Sequence, residues 1–371
     1  MLSNDATRAT TPAFAAVVPG LGVLRDVIVN LYYAFPHDQP AGPRVLIDAG
    51  LPDSAGKIIK QAATLFGPNT TPEAILLTHG HFDHVGSLQD LLDTWPGVPV
   101  YAHPLELPCL TGRSSYPPPD PTVGGGMMAY LSFAYPKHPH NFGVRIEELP
   151  ADGRVPGLPG WRWVPTPGHT FGHVSFFREH DKILVAGDAF TTVFAESGLG
   201  MLTQKQEVHG PPAYFTPDWD AARASVELLA GMEPEVTATG HGIAMHGETL
   251  RRQLADFAAH FDAVARPKTG RYTQQPATAD GSGVTSLPPP PLKPWLKMAA
   301  AAGLALGAGV LLIGRKKKSR AAKARKPTAR NGNGRYRTEI TPPNPAADQP
   351  DSSPQHRTLE TQYPQRPRLG G

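Results

Sequence analysis

Cysteine is almost missing from this sequence: Cys109 stands alone among 371 residues. A single thiol excludes an internal disulfide framework and leaves no thiolate metal site. Cys109 itself reads as a small apolar filler. Residues 1–19 lack a signal-peptide pattern, because Asp5 and Arg8 interrupt a polar start and Ala13 to Val18 is too short for an apolar core segment. They read as a ragged N-terminus. Long apolar runs are scarce as well; one, Met298 to Gly314, comes near the length needed to span a bilayer of about 30 Å. Proline and glycine, by contrast, are plentiful at 42 and 38, and many gather in the last hundred residues.

What the chain does have is concentrated in Thr78-His79-Gly80-His81-Phe82-Asp83-His84. Three imidazoles and a carboxylate crowd there directly after the apolar run Ala74-Ile75-Leu76-Leu77. Such groups lose hydration when packed together, and a divalent cation that takes their lone pairs removes the cost. The apolar run reads as a buried strand, and Gly86-Ser87 before Leu88, Leu91 and Leu92 reads as a helix start. The cluster therefore sits on a strand-to-helix loop. His79 and His81 can point to one side of an extended segment while Asp83 and His84 reach a second point at the turn, so one segment can serve two metals. The competing reading is a surface loop that happens to be rich in histidine.

Three further motifs weaken that alternative. Pro167-Gly168-His169-Thr170-Phe171-Gly172-His173 follows the strand-like Trp161-Arg162-Trp163-Val164; Ala186-Gly187-Asp188 follows Lys182 to Val185; and Thr239-Gly240-His241-Gly242 follows Glu235 to Ala238. Each sets a possible ligand at the end of a β-rich run beside glycine, which lets backbone approach a crowded site. Val45-Leu46-Ile47-Asp48-Ala49-Gly50 adds an aspartate that closes a strand. The ordered set His79, His81, Asp83, His84, His169, Asp188 and His241 resembles the metallo-β-lactamase superfamily, in particular its hydroxyacylglutathione hydrolase-like branch, over about residues 20 to 260.

The resemblance implies an α/β (α+β) fold, a four-layer αββα sandwich with metals at one edge of its two sheets. It implies that His79, His81 and His169 hold one metal, that Asp83, His84 and His241 hold a second, and that Asp188 bridges them. Asp48 is then outside the ligand set and fixes a ligand or loop. Imidazole and carboxylate ligation suits Zn2+, two per chain, with iron or manganese as other occupants. Two cations about 3.5 to 4 Å apart make hydroxide available at neutral pH to attack an electrophilic carbonyl. Asp83 doubles as proton acceptor or orienter. The implied activity is hydrolysis of a thioester, lactone or related ester of a small molecule. An iron oxygenase of the persulfide dioxygenase type shares much of the motif set, and a non-catalytic binding module tethered to a membrane is a third reading. No specific nucleic-acid partner is expected.

The rest of the chain is read around this centre. Val23 to Phe35 suits paired strands and Ala55 to Phe66 has helical spacing at Ile58, Ile59, Ala62 and Leu65. His103, His138, His140, His209 and His246 are left outside the ligand set. Residues 104–142 read as an insertion forming a lid or pocket wall, with Met127, Met128, Tyr130, Phe133 and Tyr135 as an apolar acyl-binding or core-packing surface. Asp218-Trp219-Asp220 caps one helix, and Thr249 to Val264 makes a final amphipathic one. The catalytic domain is expected over 20–265, a stiff Pro-rich linker over 266–294, an apolar transmembrane helix over 295–314 and a disordered basic tail over 315–371. That tail carries 14 Lys/Arg against 4 Asp/Glu, leaving 21 (35 − 14) against 28 (32 − 4) for residues 1–314. The expectation is membrane association through the 295–314 helix with an otherwise cytoplasmic protein. The basic flank argues for a cytoplasmic C-terminus and the missing signal peptide argues against export of the body, so the two cues oppose each other.

Overall fold

The computed structural model describes residues 14–36, 44–136 and 139–290. The helix expected at 295–314, the basic tail at 315–371 and His138 lie outside the described residues. Among the described residues, no helix is long and apolar enough to cross a membrane.

Seven strands build the first sheet in chain order: β1 Phe14–Val18, β2 Leu21–Asp26, β3 Val29–Ala34, β4 Val45–Ile47, β5 Ala74–Leu76, β6 Val100–Ala102 and β7 Ile146–Glu148. The β1 to β4 part is antiparallel, a meander, and β4 to β7 are parallel. The second sheet is made of β8 Trp161–Pro165, β9 Val174–Arg178, β10 Ile183–Gly187, β11 Val236–Thr239 and β12 Met245–His246, in the order β12-β11-β10-β9-β8.

Period-two alternation explains why the sheets stack. Tyr32, Ala34, Val45, Ile47, Ala74 and Leu76 face one core, which Val174, Phe176, Ile183, Val185, Val236 and Ala238 complete from the second sheet. Their neighbours Leu31, Tyr33, Leu46 and Ile75 face the other way, onto Ile58, Ala62, Leu88, Leu91 and Leu92 of the helices Ala55–Phe66 and Leu88–Thr94. On the far side, Phe177, Leu184 and Ala186 meet Trp219, Val226, Leu229, Leu250 and Leu254 of the helices Trp219–Gly231 and Gly247–Ala259. Strands with both faces buried are largely apolar on both, with Asn30, Ser175, Arg178, Thr237 and Thr239 as the buried polar exceptions in β3, β9 and β11, and each helix offers one apolar stripe. The result is the αββα sandwich.

Three expectations change. The N-terminal segment is ordered from Phe14, because Ala15, Ala16 and Val18 pair with Val23, Gly22 and Leu21 as an edge strand. The last helix breaks at His260 into Gly247–Ala259 and Phe261–Val264. The linker expected over 266–294 is, as far as residue 290, folded against the body. Tyr272 is 4% exposed and donates through its hydroxyl to Pro118 O at 2.7 Å, the backbone N–H of Ala277 reaches Pro217 O at 3.0 Å, and Thr278–Asp280 (β13) pairs with Gly283–Ser286 (β14) as a hairpin. One buried aromatic ring anchors a segment whose Pro, Thr, Gly and Ser content reads as linker.

Candidate metal centre

Every residue of the cluster leaves a strand at the same edge of the sandwich. Asp48 follows β4, His79 and His81 follow β5, His169 lies in the loop from β8 to β9, Asp188 follows β10 and His241 follows β11. Asp83 and His84 sit on the short helix Phe82–Val85. Two glycines make the crowding possible: a Cβ at Gly80 would collide with the Tyr116 hydroxyl and Leu110, and one at Gly240 with the Asp188 carboxylate. Backbone bonds lock the edge, from Asn30 N–H to Gly240 O at 2.7 Å, Gly240 N–H to Gly187 O at 2.8 Å and Val174 N–H to Thr78 O at 2.9 Å.

Three groups of ligand atoms converge, each within 4.8 Å: His79, His81 and His169; Asp83, His84 and His241; and, between them, His79, His84 and Asp188. Asp188 Oδ2 stands 3.2 Å from His241 Nε2, 3.5 Å from His169 Nε2 and 3.6 Å from His84 Nε2. His81 Nδ1 and His169 Nε2 are 3.0 Å apart, and Asp83 Oδ2 is 3.4 Å from His241 Nε2. Seven residues spread from 79 to 241 thus come together as two neighbouring triads with Asp188 between.

The outer contacts fix which ring nitrogen faces inward. Asp48 Oδ2 takes the His84 Nδ1 proton at 2.8 Å, and the two Asp48 oxygens also accept from Thr78 N–H and Thr78 Oγ1, both at 2.8 Å. His241 Nδ1–H donates to Ile28 O at 2.7 Å. Both rings therefore turn Nε2 to the cluster. Asp48 holds this post at φ +64°, a left-handed conformation that L residues adopt at a cost and that its three bonds over-determine.

Electrostatics sort the rings. Burial, helped by the neighbouring imidazoles, drives His79 and His169 well below the ordinary histidine value and His81 down to about 3, so these three are neutral and offer lone pairs. Burial opposes charge on His84 too, but Asp188, Asp48 and Asp83 outweigh it and raise that ring well above its ordinary value. Against the same burial, Asp188 and Asp83 raise His241 to about 9. Asp188 is held well below the carboxylate range, because His241 and His84 overcome its desolvation. A divalent cation held by these residues would replace those protons. The donor set fits one: His79 Nε2 and His84 Nε2, the ring nitrogens turned to the cluster, are buried without a hydrogen-bond partner, a cost of about 1–3 kcal/mol each that ligation would remove.

Sequence reasoning missed four neighbours. His173 is not part of either triad; its Nδ1 meets Thr166 Oγ1 at 2.8 Å and its Nε2 accepts the Asp188 backbone N–H at 2.9 Å, so it holds the backbone that carries the Asp188 carboxylate. Glu106, 1% exposed, lies beneath the His79–His81 turn with Tyr116 bonded to it. Phe215 lays its ring 4.5 Å from that of His81. A carboxylate between two leucines, Leu105 and Leu107, was the one available sign of Glu106; the others become visible in space alone. Of the histidines left outside, His103 Nδ1 accepts from Leu105 N–H, His140 stacks on Phe142, His209 lies beside Phe194 and His246 precedes the helix Gly247–Ala259.

An αββα sandwich with paired His/Asp triads at its strand ends defines the class of metal-dependent hydrolases to which the comparisons also point. A family model described as the metallo-beta-lactamase superfamily matches residues 27–241. The probable metallo-hydrolase YflN of Bacillus subtilis (strain 168) is 47% identical over 247 residues, 66% of this chain and 92% of that protein. The uncharacterized protein YobT of the same organism is 34% identical over 212 residues, 57% and 83% of the two chains. A metallo-beta-lactamase family protein from Thermus thermophilus, TTHA1429, superposes with TM-score 0.46 at 23% identity over 67% of this chain and 81% of its own. The chain belongs to the metallo-beta-lactamase superfamily.

Proposed function

We propose that this chain is a hydrolase with two zinc ions that cleaves a thioester, lactone or related ester of a small molecule. The observation that carries the reading is the pair of complete triads with Asp188 between them, where His79 Nε2 and His84 Nε2 are buried without a hydrogen-bond partner. When bound, such cations supply Lewis acidity and hydroxide at neutral pH. The chain's own residues do the rest. Asp83, 7% exposed and facing His241, is set to orient the attacking group and take up its proton. Asp48 and the Ile28 carbonyl keep His84 and His241 from turning away. Phe215, Phe82 and Tyr135 form an aromatic wall beside His81, with ring centroids 5.9 Å apart for Phe82–Tyr135 and for Tyr135–Phe215. It favours an apolar acyl group next to the scissile carbonyl. Tyr135 thus brings the 104–142 insertion to the site, whereas Met127, Tyr130 and Phe133 are 60–69% exposed.

Metal analysis of the purified protein by plasma mass spectrometry, followed by a panel of thioesters, lactones and esters with Asp83→Ala as blank, tests this. Near two zinc per chain and metal-dependent cleavage are expected. One iron per chain with no ester cleavage would put the persulfide oxygenase reading in its place. We also assign residues 295–314 as a membrane anchor on composition; recovery of the full chain in the soluble fraction of lysed cells would overturn that.

A further inference from the structure

We propose that Glu106 is the positioning residue of the first triad, the clamp that sets His79, His81 and His169 to one spacing. The proposal rests on the two-cation reading above. Its carboxylate is fully used. Oε2 accepts the Gly80 backbone N–H at 3.0 Å and the Tyr116 hydroxyl; Oε1 accepts Thr170 Oγ1 at 2.6 Å and the Gly172 backbone N–H at 2.9 Å. Gly80 stands between His79 and His81, and Thr170 follows His169. One side chain therefore ties together the two loops that supply all three imidazoles, across 88 residues of sequence. Tyr116, held by the same oxygen as Gly80, packs edge-on to the His81 ring with centroids 4.9 Å apart.

Three physical points separate this from ordinary core hydrogen bonding. Burying a carboxylate is expensive, and among the described residues no cation forms an ion pair with Glu106; a neutral side chain would be cheaper unless four acceptor positions were needed at one place. The surroundings are cut to fit it, since a Cβ on Gly172 would stand 2.8 Å from Glu106 Cγ and from its backbone nitrogen. The second triad has separate supports, Asp48 for His84 and Ile28 O for His241, so losing Glu106 should strike one site more than the other.

Glu106→Gln keeps the volume but turns one acceptor atom into a donor; the hydroxyl on that side can turn to accept from the amide, but the backbone N–H of Gly80 or of Gly172 loses its acceptor. Cobalt(II) titrations read each site alone, the first in a His241→Ala background and the second in a His169→Ala background. The expected result is a fall of about tenfold or more in first-site affinity with an altered cobalt absorption spectrum, and a change under threefold at the second. Tyr116→Phe, which keeps the carboxylate and removes one donor, should move the first site in the same direction by less, and it serves if the glutamine variant does not fold. Unchanged first-site affinity and spectrum, or equal losses at both sites with a lowered melting temperature, would overturn the proposal while leaving the two-cation reading standing. A wild-type chain that takes up no cobalt overturns both.

Discussion

At the scale of single residues, the members of the converging cluster were legible and their supports were not. His79, His81, Asp83 and His84 announce themselves because they are neighbours in sequence, and His169, Asp188 and His241 because each stands beside a glycine after a β-rich run. Glu106, Tyr116, His173 and Phe215 act through contacts with distant segments, and beyond the leucines that flank Glu106 and the glycine before His173 little in their own surroundings marks them. Asp48 falls between: its place at a strand end is visible, its grip on His84 is not. Replacing it with alanine should release the His84 ring and weaken the second site about 10–100-fold in a metal titration, with a smaller loss at the first, whose His79 it reaches only through Thr78. Cys109 gives a prediction in pH. Burial, with the Glu106 carboxylate adding to it, pushes its thiol up to about 12, above the roughly 8.5 of an unfolded cysteine. A folded value above the unfolded one means that the stabilisation is complete below about pH 8.5 and disappears as pH rises toward 12. A disulfide-exchange reagent at pH 8 should therefore label Cys109 in denaturant and leave the native protein unlabelled for hours.

Elements were read best where periodicity was strong. Ala55 to Phe66 is the helix its apolar spacing describes, and Asp218 caps Trp219–Gly231 by accepting from the N–H groups of Asp220 and Ala221. The helix expected from Thr249 to Val264 divides at His260, where the N–H bonds to Asp256 O and Phe257 O and the chain turns before restarting at Phe261. An apolar stripe continuing through Phe261 hides such a break, because both pieces bury their aromatic rings in the same cluster. That stripe carries most of the helix's contribution. Leu254→Ala, at a fully buried position, should cost about 2–5 kcal/mol in urea unfolding, and Leu228→Ala, half exposed on the neighbouring helix, less than about 1 kcal/mol.

For the whole molecule, the four layers followed from strands that are apolar on both faces and helices apolar on one, while the boundary of the body did not. Composition closed it near residue 265; Tyr272, Ala277 and the β13–β14 hairpin extend it to at least 290. A fragment ending at 265 should melt several degrees below one ending at 290, because burying the Tyr272 ring alone contributes about 1.5–3 kcal/mol. Differential scanning calorimetry of the two fragments checks this.

The spread of ligands along the chain also orders events in time. The first triad is complete once residue 169 has been synthesised, whereas the second waits for His241, another 72 residues (241 − 169). At roughly 5–20 residues per second on the ribosome, that interval is about 4–14 s. The three imidazoles cluster only once Gly172 and Val174 have followed, since their N–H groups tie the His169 loop to Glu106 and Thr78; from there until His241 is made, a cation would meet the first triad without the second.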